Sequence, residues 1–384
     1  MSTPPHVAVL IEASRAYGRG LLEGVARYVR EHGPWSIYFK PQGLREVTPR
    51  WLAHWRGDGI LARFDDVAAA RKLRRTRIPV VDLRGRLPKQ GFPFIGVDNA
   101  AVAELGLRHL LERGFKNFAF CGLARGEHPH MDARARCFIA GVRNAGFRCA
   151  HFVPRPRLTW ENEQQQMAEW ARALPKPVGI MTCNDDRGQQ LLDACRRADV
   201  LVPDEAAVIG VDNDTVLCGL STPTLSSVDV NPQRIGYEAA ALLAKLMAGR
   251  PAPRKALELP PLGVVTRQSS EVLAIADRDV ASAVRFIRQH ACEGINVDDV
   301  LNALPLSRSS LERRMRVALG RSPKEEILDV QIAKAQQLLS DSVLPIKVVA
   351  QRSGFSTEKY FGDVFYRKTG WRAGAFRKHM CLKA

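Results

Sequence analysis

The chain has 384 residues, 46% of them hydrophobic and 25% charged, which is the composition of a globular protein with room for two or three domains. Its 57 basic and 40 acidic residues leave a formal charge of +17, so a polyanionic partner is expected, nucleic acid before membrane. Eight cysteines show no Cys-x-x-Cys pair and no paired histidine spacing, which argues against a structural zinc site or a disulfide framework. The opening MSTPPHVAVLIEASR lacks a basic leader and reaches Glu12 after a short apolar run, so neither a signal peptide nor a membrane span is expected. Reduced thiols in a cytoplasmic setting fit best.

From residue 6 to about 265, short apolar runs alternate with amphipathic stretches. The predicted strands are 7–13 (VAVLIEA), 35–40 (WSIYFK), 59–62 (GILA), 79–83 (PVVDL), 118–123 (FAFCGL), 178–183 (VGIMTC) and 206–212 (AAVIGVD). Apolar runs of this kind indicate parallel strands buried on both faces under covering helices. Helices are expected over 18–32, 99–112 and 231–248, the last opening on Asn231 as cap and Pro232 at the first helical position. An alternation of about 260 residues is too long for one ordinary sheet. Two doubly wound halves with a ligand cleft between them are predicted, joined near residues 97–99 and 228–231.

Polar side chains fall just beyond the carboxyl ends of these strands, the edge where open α/β sheets bind ligands. The candidates are Ser14, Arg15, Arg63, Asp82, Asn184, Asp185, Asp212 and Asn213, with Tyr17 or Phe64 available to cover a ring face. Asp, Asn and Arg supply the paired donors and acceptors that a polyol needs. The competing reading is that they cap the helices that follow. Gly18-Arg19-Gly20-Leu21-Leu22-Glu23-Gly24 imitates a dinucleotide fingerprint, but its spacing is G-x-G-x-x-x-G and Lys40 closes the second strand where an acid is required. No cofactor, no metal and no catalytic residue are expected. An enzyme acting on a sugar or nucleotide, with an accessory DNA module, is the alternative. It lacks a G-x-S-x-G, HExxH or phosphate-cradling motif, and the adjacent Asp185 and Asp186 should point apart.

A linker is placed at 266–276, and purely helical sequence follows. Residues 277–384 hold 19 basic against 12 acidic residues, nearly twice the charge density of the preceding part. Within them a helix-turn-helix pattern occurs twice, at 297–311 (VDDVLNALPLSRSSL) and 346–360 (IKVVAQRSGFSTEKY). At an offset of 49, Val297 meets Ile346, Val300 meets Val349, Leu306 meets Phe355, and Ser307 meets Ser356, each serine placed to cap a second helix. Gly354 can close a helix in the left-handed region, but Pro305 at the equivalent position cannot, so the two turns must differ. Ser322-Pro323-Lys324-Glu325 is a capping box that starts a linking helix with Leu328, Ile332, Ala335 and Leu339 on one face.

Leu311, Met315 and Leu319 form the buried stripe of the first reading helix, and Tyr360, Phe361, Val364 and Phe365 that of the second. The candidate DNA-contacting residues are therefore Ser307, Arg308, Ser309, Glu312, Arg313 and Arg316, and Ser356, Thr357, Glu358, Lys359, Asp363 and Arg367. Arginine suits guanine, hydroxyls suit phosphate or base edges, and carboxylates accept from cytosine.

The C-terminal hundred residues resemble the AraC/XylS-type transcription-factor domain, through LGRSP, GF-S-x-x-x-YF and F-x-R-x-TG, with WRAGAFRK departing from the usual proline before the closing aromatic. Residues 6–265 resemble the LacI/GalR and periplasmic sugar-binding family, through VDNAAVAELGLRHLLERGFKNFAFCG, CNDDRGQQLLDACR, VIGVDND and LSSVDV. This order of domains, and the opening IEASRAYGRGLLEGVARYVREHGPW, is similar to the xylose-operon regulators. The resemblance implies a periplasmic-binding-protein-like α/β fold of two doubly wound parallel-sheet subdomains, followed by an all-α domain with two helix-turn-helix motifs. It also implies an activator that answers a pentose, binds promoter DNA, works with RNA polymerase and forms a homodimer. By the receptor family's pattern Asp212, Asn184 and either Arg134 or Arg136 would hold the sugar.

Overall fold

Apolar runs too short for helices become strands wherever parallel pairing buries both their faces, as at residues 59–62, 178–182 and 206–211. The computed structural model describes residues 3–39, 51, 55–63, 67–85, 91–126, 128–155, 159–253, 255–271, 277–341 and 344–381. The chain divides into two units, Met1–Val272 and Leu273–Ala384.

The first lobe of unit one holds β1 (His6–Leu10), α1 (Ala16–His32), β2 (Ser36–Phe39), β3 (Gly59–Ala62), α2 (Val67–Thr76), β4 (Val80–Asp82) and β5 (Ile95–Val97). Its sheet runs β2-β1-β3-β4, all parallel, and a bridge from Asp82 to Phe94 carries it to β5. The second lobe holds α3 (Asn99–Leu111), β6 (Asn117–Cys121), α4 (Pro129–Asn144), β7 (Cys149–Phe152), α5 (Trp160–Ala173), β8 (Val178–Thr182), α6 (Asp185–Arg197), β9 (Ala206–Val211), α7 (Thr215–Leu220) and β10 (Ser226–Asp229). The chain returns to the first lobe as α8 (Pro232–Met247) and β11 (Leu257–Leu259), which pairs with β5. It then re-enters the second as β12 (Gly263–Val265), antiparallel to β10, giving the order β12-β10-β9-β8-β6-β7. Both lobes repeat one winding, in which the first strand lies between the second and the third, so the two switch points face a common cleft.

The chain crosses between lobes after β5, after β10 and again between β11 and β12. The first two crossings were predicted. The third escapes sequence reading because its flanking strands are three residues each and enclose Pro260-Pro261. The imitation fingerprint on α1 also finds its physical use. A Cβ on Gly24 would lie 1.9 Å from the Gln233 carbonyl oxygen, and one on Gly236 would lie 2.0 Å from that of Leu21. These glycines let α1 and α8 approach backbone to backbone.

Unit two holds α9 (Arg278–His290), α10 (Val297–Asn302), α11 (Arg308–Leu319), α12 (Pro323–Asp341), α13 (Ile346–Arg352), α14 (Glu358–Thr369) and α15 (Ala373–Cys381). Helix α12 starts at the predicted capping box: the Ser322 amide donates to Glu325 at 2.7 Å, and the Glu325 amide donates to Ser322 Oγ at 3.3 Å. It belongs to two cores. Ile327 joins Val280, Val284, Ile287, Val300, Leu311 and Met315. Leu328, Ile332, Ala335 and Leu339 join Val349, Phe355, Phe361 and Phe365. Full burial of each phenyl ring is worth roughly 1.5–3 kcal/mol. Buried between the halves, Gln331 Nε2 donates to the carbonyls of Ala291 at 2.8 Å and Gly354 at 3.1 Å, which fixes one helix-turn-helix against the other.

Several expectations change. Residues 266–270, predicted as the start of a linker, are held in unit one: the Ser226 amide donates to Ser269 Oγ at 2.8 Å, and Arg113 Nε donates to the Ser270 carbonyl at 2.8 Å. Residues 272–276 lie outside the described residues. Ser307 caps α11, accepting from the Ser310 amide at 3.4 Å, but Ser356 does not cap α14. Thr357 does, accepting from the Tyr360 amide at 3.2 Å, because α13 runs one residue longer than α10. That turn closes through Gly354 at φ +86°, where a Cβ would meet the Ala291 carbonyl oxygen at 2.4 Å. The first turn contains no positive φ and folds through Ala303, Leu304 and Pro305. Tyr360 is 41% exposed and stands outside the core it was assigned to.

Candidate functional site

The cleft of unit one encloses a cavity of about 420 Å³ at the carboxyl ends of the strands. From the β1 edge come Glu12, Arg15 and Tyr17, from β3 Arg63, from β8 Asn184, Asp185 and Asp186, from β9 Asp212 and Asp214, and from α4 Arg134. A cavity of this size lined by many convergent polar groups suits a small polar ligand.

Asp212 has the most telling environment. Its amide donates to the Val228 carbonyl at 3.0 Å, but its carboxylate accepts a hydrogen bond from none of the described residues. Burial pushes its carboxyl up to about 6, although Arg134 and Arg63 pull in the opposite direction. Its backbone is also strained, with φ +108° followed by +51° at Asn213. Neither residue is glycine, and such conformations cost on the order of 1–3 kcal/mol each. A half-buried acceptor without a donor among the described residues has the chemistry to take hydroxyl donors from a ligand.

Opposite it, Arg63 Nη1 donates to Glu12 Oε2 at 2.6 Å and its guanidinium lies 5.0 Å from the Tyr17 ring centroid. Burial raises the Tyr17 hydroxyl above its ordinary range. Arg134 is 4% exposed, donates from Nε to Asn99 Oδ1 at 3.2 Å and from Nη1 to the Cys183 carbonyl. Arg15 and Asp186 form an ion pair across the cleft, one from each lobe.

Of the predicted ligand residues, Arg15, Arg63, Arg134, Asn184, Asp185 and Asp212 line the cavity, and Ser14, Asp82, Arg136 and Asn213 do not. Arg136 lies two positions along α4 from Arg134, about 200° around the helix, and points to solvent. Ser14 is exposed beside Glu12. Asp82 accepts from the amides of Arg84 at 2.7 Å and Gly85 at 3.0 Å, so it holds the turn after β4. Asn213 turns away, donating to Asp229 at 3.0 Å and accepting from Arg267 at 2.8 Å. Phe64 lies outside the described residues.

Capping and lining coincide at Asn184 and at Asp214, which caps α7 by accepting from the Val216 amide at 3.1 Å. Asn184 caps α6 by accepting from the Arg187 amide at 3.0 Å. Asp185, held well above the usual carboxylate range by burial and by Asp212, accepts from Ser227 Oγ at 2.6 Å and from the Asp214 amide at 2.7 Å. Asp185 and Asp186 have different partners, Ser227 and the Asp214 amide for the first and Arg15 for the second. Sequence reading missed Glu12, Asp186, Arg84 and Gln190 as lining residues. Glu12, the first charge after the first strand, was the available signal.

In unit two, Ser309, Arg313 and Arg316 on α11 are exposed, as are Ser356, Thr357, Glu358, Lys359, Asp363 and Arg367 on or just before α14. Ser307 is exposed at its cap, and Glu312 is half-buried. Arg313, Arg316, Lys359 and Arg367 enter no ion pair among the described residues, whereas Arg308 pairs with Asp298 at 2.5 Å. Unpaired cations on a capped, exposed helix face suit phosphate and base contacts. Both helices have twelve residues and end on a left-handed glycine, Gly320 and Gly370.

A receptor unit with a lined cleft, followed by paired helix-turn-helices, defines a ligand-responsive transcriptional regulator. Family models agree: an XylR N-terminal domain matches residues 6–100, a periplasmic binding protein-like domain 107–270, and a helix-turn-helix domain 300–379. The xylose operon regulatory protein of Haemophilus influenzae is 31% identical over 379 residues, 97% of each chain. That of Escherichia coli K12 is 32% identical over 375 residues, 95% of each. A solved structure described as the xylose-binding transcription activator xylR superposes with a TM-score of 0.69 at 30% identity, covering 98% of both chains. The chain belongs to the xylose operon regulatory protein family.

Proposed function

We propose that this protein is a cytoplasmic, homodimeric activator of pentose catabolic genes that takes D-xylose in the cleft and holds promoter DNA with α11 and α14. The observation that carries the ligand half is the Asp212 carboxylate, half-buried in the cavity near Arg134 and Arg63 without a donor among the described residues. Asp212 accepts from sugar hydroxyls, Arg134 and Arg63 donate to them, Tyr17 covers a ring face, and Asn184 and Arg15 border the site. Asp185 acts behind them by holding the loop that carries Asp212. The names of the relatives supply the sugar, since both act on xylose operons.

For DNA, Arg313, Arg316, Lys359 and Arg367 make the main cationic contacts, and Ser309, Glu312, Thr357, Glu358 and Asp363 read or position beside them. Helix α12 holds the two reading helices about one DNA turn apart, so the site contains two major-groove elements near 10 bp spacing. The protein meets RNA polymerase at the promoter and leaves the sugar chemically unchanged. Among the described residues no helix is long and apolar enough to cross a membrane.

Calorimetry of the purified chain against D-xylose, L-arabinose and D-ribose, with the sugar recovered and analysed afterwards, tests this reading. Saturable binding with D-xylose preferred and recovered intact supports it. No binding of any pentose, or turnover of one, refutes it.

A further inference from the structure

We infer that Arg267 is the positioning residue through which the ligand loop communicates with the segment leaving unit one. The inference rests on the functional reading above, because it concerns how that same cavity is read out.

The loop 212–214 carries the ligand acceptor, and the residue after Asp212 is unusually committed. The Asn213 amide donates to Ser227 Oγ at 3.0 Å, its Nδ2 donates to Asp229 at 3.0 Å, and its Oδ1 accepts from Arg267 Nη2 at 2.8 Å. Asp229 lies on the crossing from β10 to α8, where its other oxygen accepts from the Asn231 amide at 2.8 Å. Asn213 thus joins three things at once: the acceptor of the cavity, a crossing between the lobes, and a side chain of the exit segment.

Arg267 is itself held at several points. Its Nη1 donates to the Leu225 carbonyl at 2.9 Å, and its amide donates to Ser226 Oγ at 2.7 Å. The residues that follow are anchored where water cannot reach. Ser269 Oγ donates to the Val208 carbonyl at 2.7 Å, Ser270 Oγ lies 2.7 Å from His109 Nε2, and both serines are completely buried. Arg267 and its neighbours are therefore anchored to β9 and β10, and among the described residues Arg267 is the side chain by which the exit segment itself reaches the strained pair Asp212-Asn213. The next described residue after this segment is Asp277, the cap of α9 in the DNA-reading unit. A sugar that engages the Asp212 carboxylate acts on a backbone whose next side chain is gripped by the exit segment. Two arrangements of that grip are the bistable element a coupled response requires.

The test uses the full-length chain and two substitutions, Arg267→Gln and Asn213→Gly. The second suits φ +51° and removes the amide without straining the backbone. Operator-fragment affinity is measured with and without saturating D-xylose at one salt concentration, and thermal melting with and without D-xylose reports folding and ligand binding. The parent chain is expected to show a ligand effect on the order of 5–150-fold. In both variants that effect falls to within about twofold of none, while D-xylose still raises the melting temperature and ligand-free DNA affinity holds within about threefold. The double variant loses no more than either single one. Variants that respond to D-xylose as the parent does overturn the inference. So do variants that unfold or no longer bind the sugar, since the contact then only holds the fold. A parent chain that binds neither D-xylose nor DNA overturns the functional reading itself, and this inference with it.

Discussion

The two recognition surfaces of this molecule are built on opposite terms. In the cleft, many polar side chains are held by protein partners, and the proposed ligand acceptor, Asp212, has no donor among the described residues. On α11 and α14 the cations project into water with little holding them, and their usefulness lies in number and spacing. A buried acceptor left unpaired costs its full desolvation, so a few hydrogen bonds there discriminate strongly. Exposed charges gain little one at a time but sum along a polyanion through released counterions. One protein therefore carries a site sensitive to single atoms and a surface sensitive to ionic strength.

The largest expected effect breaks the second surface with salt. If six or more phosphates are neutralised, raising salt from 50 to 200 mM lowers operator affinity about 10³-fold or more, while D-xylose affinity stays nearly constant. Filter binding and calorimetry across that range read both slopes. A sugar affinity that falls as steeply as the DNA affinity would erase the distinction.

Asp212→Ala is next. It leaves sugar hydroxyls without their acceptor and costs on the order of 1–3 kcal/mol, or 5–150-fold in D-xylose affinity, with melting and ligand-free DNA binding preserved. Calorimetry of the variant checks this, and unchanged affinity moves the site elsewhere.

A pH series sharpens the same point. The folded chain holds the Asp212 proton more tightly than the unfolded chain does, since its carboxyl is raised from 3.8 to about 6. Asp212 therefore makes stability fall as pH rises through that window and has no further effect above it. Sugar affinity should run the other way, about tenfold weaker at pH 5 than at pH 7.5, because the ionised acceptor is the binding form. Asp212→Asn should flatten both trends. A wild-type affinity independent of pH over this range would show that the carboxylate is not the acceptor.

How much of this was legible in the sequence follows the same division. The faces of α11 and α14 could be read because a 3.6-residue period with a cap at its start settles which side chains meet water. Only the one-residue shift from Ser356 to Thr357 and the exposure of Tyr360 depended on the path of the second turn. The cavity was half legible. Position at the carboxyl end of a strand nominated Asp82, Asn213 and Asp212 equally, yet the amides after Asp82 consume its carboxylate and Asp229 and Arg267 consume the Asn213 amide. Which acceptor is left over depends on long-range donors that no local pattern records. Arg134 and Arg136 were likewise equivalent until α4 set its face. The third crossing, between strands of three residues, left no periodic signal.

The smallest expected effect lies within the DNA surface itself. Arg308→Ala removes a side chain already paired with Asp298 and exposed, so operator binding should weaken by under about 1 kcal/mol. Arg313→Ala removes an unpaired cation from the centre of the face and should cost about 1–3 kcal/mol, with relaxed selectivity at one base pair. Competition binding on a panel of single-base operator variants distinguishes them, and equal losses from both would remove the assigned reading face.

The central claim is that the cleft governs the helices. A promoter fragment carrying two major-groove elements near 10 bp spacing, titrated with the full chain at one fixed salt concentration, with and without saturating D-xylose, tests it most directly. The account predicts a change in DNA affinity on the order of 5–150-fold, or a change in DNA bending with altered transcription output. Affinity, bending and output that are all unchanged by the sugar would contradict it.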